Sequence, residues 1–320
     1  MFCLFHSCRV LRRLLISIMG LSVIACSTPK VAQSPQPRKP KIALVLGGGA
    51  AKGFAHVGVI KVLEAQGIVP DIIVGTSAGS VVGSLYAAGY SGFQLQEIAF
   101  SLDQAVVRDM AFTITGILKG EKLQNYINQF VKGRPIEKLN KPFGAVATDL
   151  ATGDMVVFQR GNTGQAVRAS SSIPGIFQPT IIAGKRYVDG GVVSPVPVTA
   201  AKQMGADFII AVDISAKVKE SKPSSALSIM NHSVTIMGQK IGEAELAAAD
   251  IILRPRVGKI GVIDFDQRHK AILEGEKTAM AAMPEIKRKL QAKITQLSIP
   301  KVDTNKQRSW LPWYSESTIK

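Results

Sequence analysis

Apolar residues in this chain fall into short continuous runs, separated by stretches that carry them at helical spacing. Lys41–Leu46 is a strand-like run that closes in glycines. Phe54–Gln66 follows with Val57, Ile60, Val62 and Leu63 on or near one helical face, and Gly67 stops it. Asp71–Val74 predicts a second strand and Ala78–Gly89 a helix of small residues. Phe143–Thr148 and Met155–Gln159 predict strands around a Thr152-Gly153-Asp154 turn, Arg186–Val188 a short strand and Val198–Met204 a helix. Phe208–Ile214 is apolar throughout, which suits a strand buried on both faces. Strands alternating with helices predict an α/β domain with a largely parallel sheet.

The ends of the chain read differently. Arg9, Arg12 and Arg13 precede an apolar run from Leu14 to Ala25, a charged region and short hydrophobic region of signal-peptide type, too short to span a bilayer comfortably. The run closes in Val23-Ile24-Ala25-Cys26, which resembles the lipobox of bacterial lipoproteins and implies cleavage before an acylated Cys26. An uncleaved signal anchor with an incidental cysteine is the alternative. Only Cys3, Cys8 and Cys26 exist, so a mature chain keeps one blocked thiol, and disulfides, thiolate catalysis and cysteine zinc sites drop out. Residues 26–41 are Pro-rich and basic, as an extended tether would be. The organisation expected is a signal peptide over 1–25, a tether over 26–41, a core over 42–214, the rest of the same α/β domain over 215–304, and a basic, aromatic tail over 305–320.

Charge changes the choice of partner. The net +16 is spread unevenly: residues 42–253 hold 18 bases against 16 acids, whereas 26–41 hold four bases and no acid and 254–320 hold 14 bases against 7 acids. A nucleic-acid binder concentrates its excess on the folded domain. A nearly neutral centre with basic flanks points instead to a negatively charged membrane surface.

Candidate chemistry begins at Gly47-Gly48-Gly49-Ala50-Ala51-Lys52-Gly53. A strand ending in glycines and opening a helix aims backbone N–H groups at one point, a nest for a phosphate or an oxyanion. A dinucleotide site is disfavoured because the next strand ends in Gly75-Thr76-Ser77 and not in an acid. A phosphate loop is disfavoured because no Ser or Thr follows Lys52. Lys52 suits either attraction of a lipid phosphate or an exposed surface charge. Gly75-Thr76-Ser77-Ala78-Gly79 is G-x-S-x-G between a buried strand and a small-residue helix, the setting of a nucleophile elbow. Its plain alternative is a serine that caps a helix.

A serine nucleophile needs a base. His56, His232 and His269 lack flanking sequence that marks a catalytic turn. Asp189, at the end of a short strand and followed by Gly190 and Gly191, is the better candidate, with an Asx turn as its plain alternative.

In this order, the glycine nest at 47–53, the elbow at 75–79 and Asp189-Gly190-Gly191 resemble the patatin-like phospholipase family. Ala147-Thr148-Asp149-Leu150 with Thr152-Gly153, and Arg168-Ala169-Ser170-Ser171-Ser172-Ile173-Pro174-Gly175, look like its bacterial branch. The resemblance covers roughly residues 42–214, and departs from the family's G-x-G-x-x-G at Ala50, where the second glycine is expected.

The resemblance implies a three-layer domain with a largely parallel central sheet between helices. It implies a serine acyl-ester hydrolase acting on phospholipid or another acyl ester, with Ser77 and Asp189 as a dyad and an oxyanion hole from Gly47, Gly48, Gly49 and Ala50. An alanine serves there if its φ is ordinary. No metal or other cofactor is expected, nor a nucleic-acid partner. A conventional Ser-His-Asp esterase and a non-catalytic lipid-binding lipoprotein remain open. With Ser27 after Cys26, a lipoprotein of a two-membrane bacterium is expected in the outer membrane, facing the periplasm.

Overall fold

The computed structural model describes residues 38–102, 119–215, 218 and 224–298. Cys26, the signal-type segment and the 305–320 tail lie outside the described residues. No helix among the described residues is long and apolar enough to cross a membrane.

Eight strands form one sheet: β1 (Ile42–Leu46), β2 (Ile72–Thr76), β3 (Phe143–Asp149), β4 (Met155–Phe158), β5 (Thr180–Ile182), β6 (Lys185–Asp189), β7 (Phe208–Val212) and β8 (Ile251–Leu253). Their order is β5-β6-β3-β2-β1-β7-β8, with β4 paired to β3. The run β3-β2-β1-β7-β8 is parallel throughout, whereas β4, β5 and β6 join antiparallel. The helices are α1 (Phe54–Ala65), α2 (Ala78–Ala87), α3 (Gly92–Ser101), α4 (Glu121–Phe130), α5 (Thr163–Ser170), α6 (Val198–Gln203), α7 (Ala226–Leu246) and α8 (Arg268–Ser298).

Alternation along β1 makes the layers. Leu44 and Leu46 enter one core with α1, α2 and α8, and Ala43 and Val45 enter the opposite core with Val198, Ala200 and Ala201 of α6 and Leu246 of α7. The fold is therefore three-layered, with the mostly parallel sheet that the pattern predicted lying between helices, as the resemblance implied. Because the parallel strands share one direction, the turns after β1 and β2 emerge at the same edge of the sheet.

The polar segment before β1 is already joined to this body at Arg38. Its guanidinium donates to both Asp207 carboxylate oxygens at 2.6 and 2.8 Å, and the Lys41 N–H donates to Asp207 at 2.9 Å.

Candidate active site

The turn from β2 into α2 holds Ser77 at φ 52°, ψ −123°, a left-handed backbone that an L-residue adopts only under constraint. The constraint is steric. A Cβ on Gly79 would lie 2.0 Å from the Leu46 carbonyl oxygen, and one on Gly75 would lie 2.3 Å from the Gly79 carbonyl oxygen. These two glycines let α2 start directly against the end of β1, so the chain turns sharply and lifts Ser77 out of the strand. Ser77 is not a side-chain cap of α2. Its own N–H instead donates to Ser170 Oγ at 2.9 Å, and Ser170 in turn donates to the Val146 carbonyl at 2.6 Å.

Register brings Asp189 alongside. Thr76 pairs with Val146 across β2 and β3, and the next β3 residue, Ala147, pairs with Asp189 on β6. A Cβ on Gly190 would lie 2.2 Å from the Val146 carbonyl oxygen, so this turn also needs glycine. The Asp189 carboxyl accepts a hydrogen bond from the Gly191 N–H at 2.7 Å, and the Ser77 side chain lies near enough to favour its charged form. Thr148 donates to the Asp189 carbonyl at 2.9 Å, and the Asp189 N–H donates to the Ser172 carbonyl at 2.9 Å. Burial pushes the Asp189 carboxyl up to about 6, against the opposing pull of Ser77 and Gly191. A buried carboxylate titrating near neutrality against a serine hydroxyl is a suitable proton acceptor.

The glycine nest is narrower than expected. The Gly47 N–H donates to the Val212 carbonyl at 3.0 Å and the Gly48 N–H to the Pro195 carbonyl at 2.9 Å. Both amides are spent on holding the loop, which corrects their assignment as oxyanion donors. Among the described residues no backbone carbonyl takes the N–H of Gly49 or Ala50. Gly48 lies beside Ser77, since a Cβ on it would sit 3.4 Å from the Ser77 Cβ. Ala50 has φ 49°, not the ordinary value expected for an alanine. The backbone keeps the conformation a glycine takes most easily and imposes it on a side chain that resists it. Lys52 is 6% exposed, which removes the surface-charge reading; Gly53 needs to be small because a Cβ there would meet the Ala78 Cβ at 2.7 Å.

Two of the three described histidines have partners of their own. His56 is fully buried and binds the Gly47 carbonyl, and His269 stacks on Phe100 at 4.2 Å between ring centroids. No histidine lines the cavity beside Ser77. That cavity, of about 130 Å³, is lined by Ser77 and Ala50 together with apolar side chains, among them Val81, Leu85, Leu95, Leu123, Tyr126 and Phe177. Ser77, Val81 and Leu85 are spaced four residues apart on one face of α2, so the cavity follows that helix for roughly 12 Å at 1.5 Å per residue. Among the described residues no group of three or more His, Cys, Asp or Glu side chains gathers to hold a metal.

Sequence reading missed the segment that ties these parts together. The Ser194 N–H donates to the Gly190 carbonyl at 2.8 Å, the Ser194 carbonyl accepts from Thr76 Oγ1 at 2.8 Å, and the next carbonyl, of Pro195, accepts from Gly48. Ser194 Oγ itself donates to Glu245 of α7 at 2.8 Å. Burial pushes Glu245 up to about 6, against the pull of bonds from Ser194, Thr199 and Val196. Nothing local marks Glu245: it is one acid on an amphipathic helix some fifty residues from its partner.

Comparison with known proteins agrees with this geometry. Residues 44–202 match the patatin-like phospholipase family. The chain is 37% identical over 205 residues to an uncharacterized NTE family protein of Mycobacterium tuberculosis, an alignment that takes in 61% of this chain and 56% of that one. It is 35% identical over 184 residues to patatin-like phospholipase domain-containing protein 6 of Mus musculus, covering 55% of this chain and 14% of that one. The chain thus spans about half the length of the first relative and a small part of the second. The crystal structure of VipD from Legionella pneumophila superposes with a TM-score of 0.54 at 13% identity, over 80% of this chain and 67% of that one, a likeness of fold. Elbow, carboxylate turn and glycine nest all lie inside the matched segment: this chain carries a patatin-like phospholipase domain over residues 44–202.

Proposed function

We propose that this protein is a serine acyl-ester hydrolase of phospholipase or lysophospholipase type that works with a Ser77–Asp189 dyad. One observation carries the reading: Ser77, held at positive φ, interacts with the buried Asp189 carboxyl and lines an apolar cavity. Asp189 takes the hydroxyl proton as Ser77 Oγ attacks the ester carbonyl carbon. The carbonyl π electrons move to oxygen, and the N–H groups of Gly49 and Ala50 receive the oxyanion. The tetrahedral intermediate collapses, the alcohol leaves with the proton from Asp189, and an acyl-serine remains. Water, deprotonated by Asp189, repeats the sequence and releases a free fatty acid. The acyl chain lies along α2 in the cavity.

Lipid on Cys26, with the basic segment after it, anchors the protein to a membrane, in the outer membrane facing the periplasm if its cell has two. Cys26→Ser, followed by fractionation and mass spectrometry of the mature N-terminus, tests that part alone.

The catalytic reading is tested by a fluorophosphonate probe and a panel of phospholipids, lysophospholipids and aryl esters. Wild type is expected to be labelled on Ser77 and to release fatty acid in excess chelator, and Ser77→Ala to do neither. A wild-type protein that binds lipid but takes no label and releases no acid would make the pocket a binding site only.

A further inference from the structure

The loop that follows β8, residues 254–264, leaves the sheet at the same edge as the glycine nest, because β8, β7 and β1 run parallel. It is fixed from inside. Val257, Ile260 and Phe265 are buried, Phe265 meets Phe54 edge-on at 6.2 Å between ring centroids, and the Ala51 N–H donates to the Val262 carbonyl at 3.2 Å. Phe265 and Ala50 both line the cavity that contains Ser77.

The outer side of the same loop is unlike ordinary protein surface. Val262 and Ile263 stand side by side at 53% and 47% exposure. Arg256 and Lys259 are exposed, and among the described residues neither has a carboxylate partner, whereas Arg254 is paired with Asp213 at 3.2 Å. Asp264 is turned back on the loop, accepting the Gly261 N–H at 2.8 Å, and Asp266 lies 3.9 Å from Arg268. Two adjacent exposed aliphatics preceded by two unpaired cations suit the headgroup boundary of an anionic bilayer: the aliphatics enter the apolar layer and the cations stay with the phosphates. The reading of the protein as a lipid hydrolase adds a reason. An acyl chain leaves the bilayer most easily where the surface beside the cavity already touches it.

We propose that the 254–264 loop is a membrane-insertion element that seats the cavity on an anionic lipid surface, with Val262 and Ile263 entering the bilayer and Arg256 and Lys259 contacting lipid phosphates. This rests on the lipid-hydrolase reading, but the following test needs no turnover. In the full chain with Cys3, Cys8 and Cys26 changed to serine, a polarity-sensitive fluorophore is placed on Ile263→Cys. A control label goes on Val69→Cys, a half-exposed position before β2 at the opposite edge of the sheet. Phosphatidylglycerol-containing vesicles are expected to shift the 263 label to the blue and leave the 69 label unchanged, even if segments elsewhere also hold the chain on the vesicle. Adding Arg256→Glu and Lys259→Glu is expected to reduce the shift roughly twofold or more. No shift at 263, or equal shifts at 263 and 69, overturns the proposal. An equal shift on pure phosphatidylcholine overturns its anionic selectivity. A protein inactive on every ester but showing the 263 shift would refute the hydrolase reading and leave the insertion element standing.

Discussion

His56 donates its Nε2 proton to the carbonyl of Gly47 at 2.8 Å, from a fully buried position one helical turn after the glycine nest. A carbonyl only accepts, so this nitrogen carries the proton and the ring is neutral. Its Nδ1 has no partner among the described residues, and protonating it would bury an N–H with nothing to receive it. The histidine beside the site is thus a strut under the glycine loop.

Burial lowers the His56 pKa from 6.5 to about 4, with the bond to Gly47 and the charge of Asp213 acting the other way. The unfolded chain therefore takes up this proton first. The stability contributed by neutral His56 is complete above pH 6.5 and is lost as pH falls through 4, about 3 kcal/mol over that window. His56→Gln, which keeps a donor near Gly47, is expected to flatten this part of the stability–pH curve in urea titrations and to retain turnover. A loss of roughly 10²–10⁴ in kcat would instead make His56 the base.

Asp189 titrates with the opposite sign. Its folded pKa of about 6 lies above the ordinary 3.8, so its neutral form favours folding and that contribution is lost as pH rises through 6. Ionised, it is the base of the proposed dyad, and kcat/KM is expected to fall below about pH 6. Asp189→Asn should cost roughly 10²–10⁴ in kcat while stabilising the protein above pH 6 by up to about 3 kcal/mol. Combined with Ser77→Ala it should cost no more than either alone, because the two act as a unit.

Ala50→Gly is expected to stabilise the protein by about 1 kcal/mol, because φ 49° is costly for alanine and free for glycine. Its N–H stays in place, so ester hydrolysis should persist. A thermal melt that drops, or a lost oxyanion function, would contradict the strain at this position.

Leu85 lies two helical turns beyond Ser77 on the wall of the cavity. Leu85→Trp should fill its far part and lower kcat/KM on long-chain esters by about tenfold or more relative to short-chain ones. Equal losses on both would place the acyl chain elsewhere.

Glu245→Ala removes the carboxylate that holds Ser194, and through Ser194 the turns at Gly190, Thr76 and Gly48. The expected result is a fall in kcat with KM on a soluble ester little changed, at a cost of about 1–2 kcal/mol in stability. A stability loss with kcat intact would make Glu245 structural only.

The sheet, the elbow and the carboxylate turn were legible because each depends on local rules: apolar runs, flanking glycines, a short strand ending in Asp-Gly-Gly. Which amides of the glycine loop are engaged was not legible, because that depends on Val212 and Pro195, brought in from distant strands and turns. Burial of Lys52 and of His56 was equally invisible, being decided by what packs over them. The segments quoted only for their resemblance proved to be braces. Ser170 and Ser172 hold the elbow and the Asp189 turn, and Thr148 holds the Asp189 carbonyl.

One contact lies far from this chemistry. A Cβ on Gly58 of α1 would sit 2.0 Å from the Ile272 carbonyl oxygen of α8, and one on Gly275 of α8 would sit 2.0 Å from the Ala55 carbonyl oxygen of α1. The helix that carries His56 is thus pressed backbone to backbone against residues 268–298, which lie beyond the matched segment. A chain emerging from the ribosome has its serine, its aspartate and its glycine loop long before it has α8. Until α8 arrives, α1 rests on the sheet with its outer side uncovered. This packing therefore waits for synthesis of residues 268–298, and a ribosome stalled before residue 268 would hold a core that still lacks this outer layer.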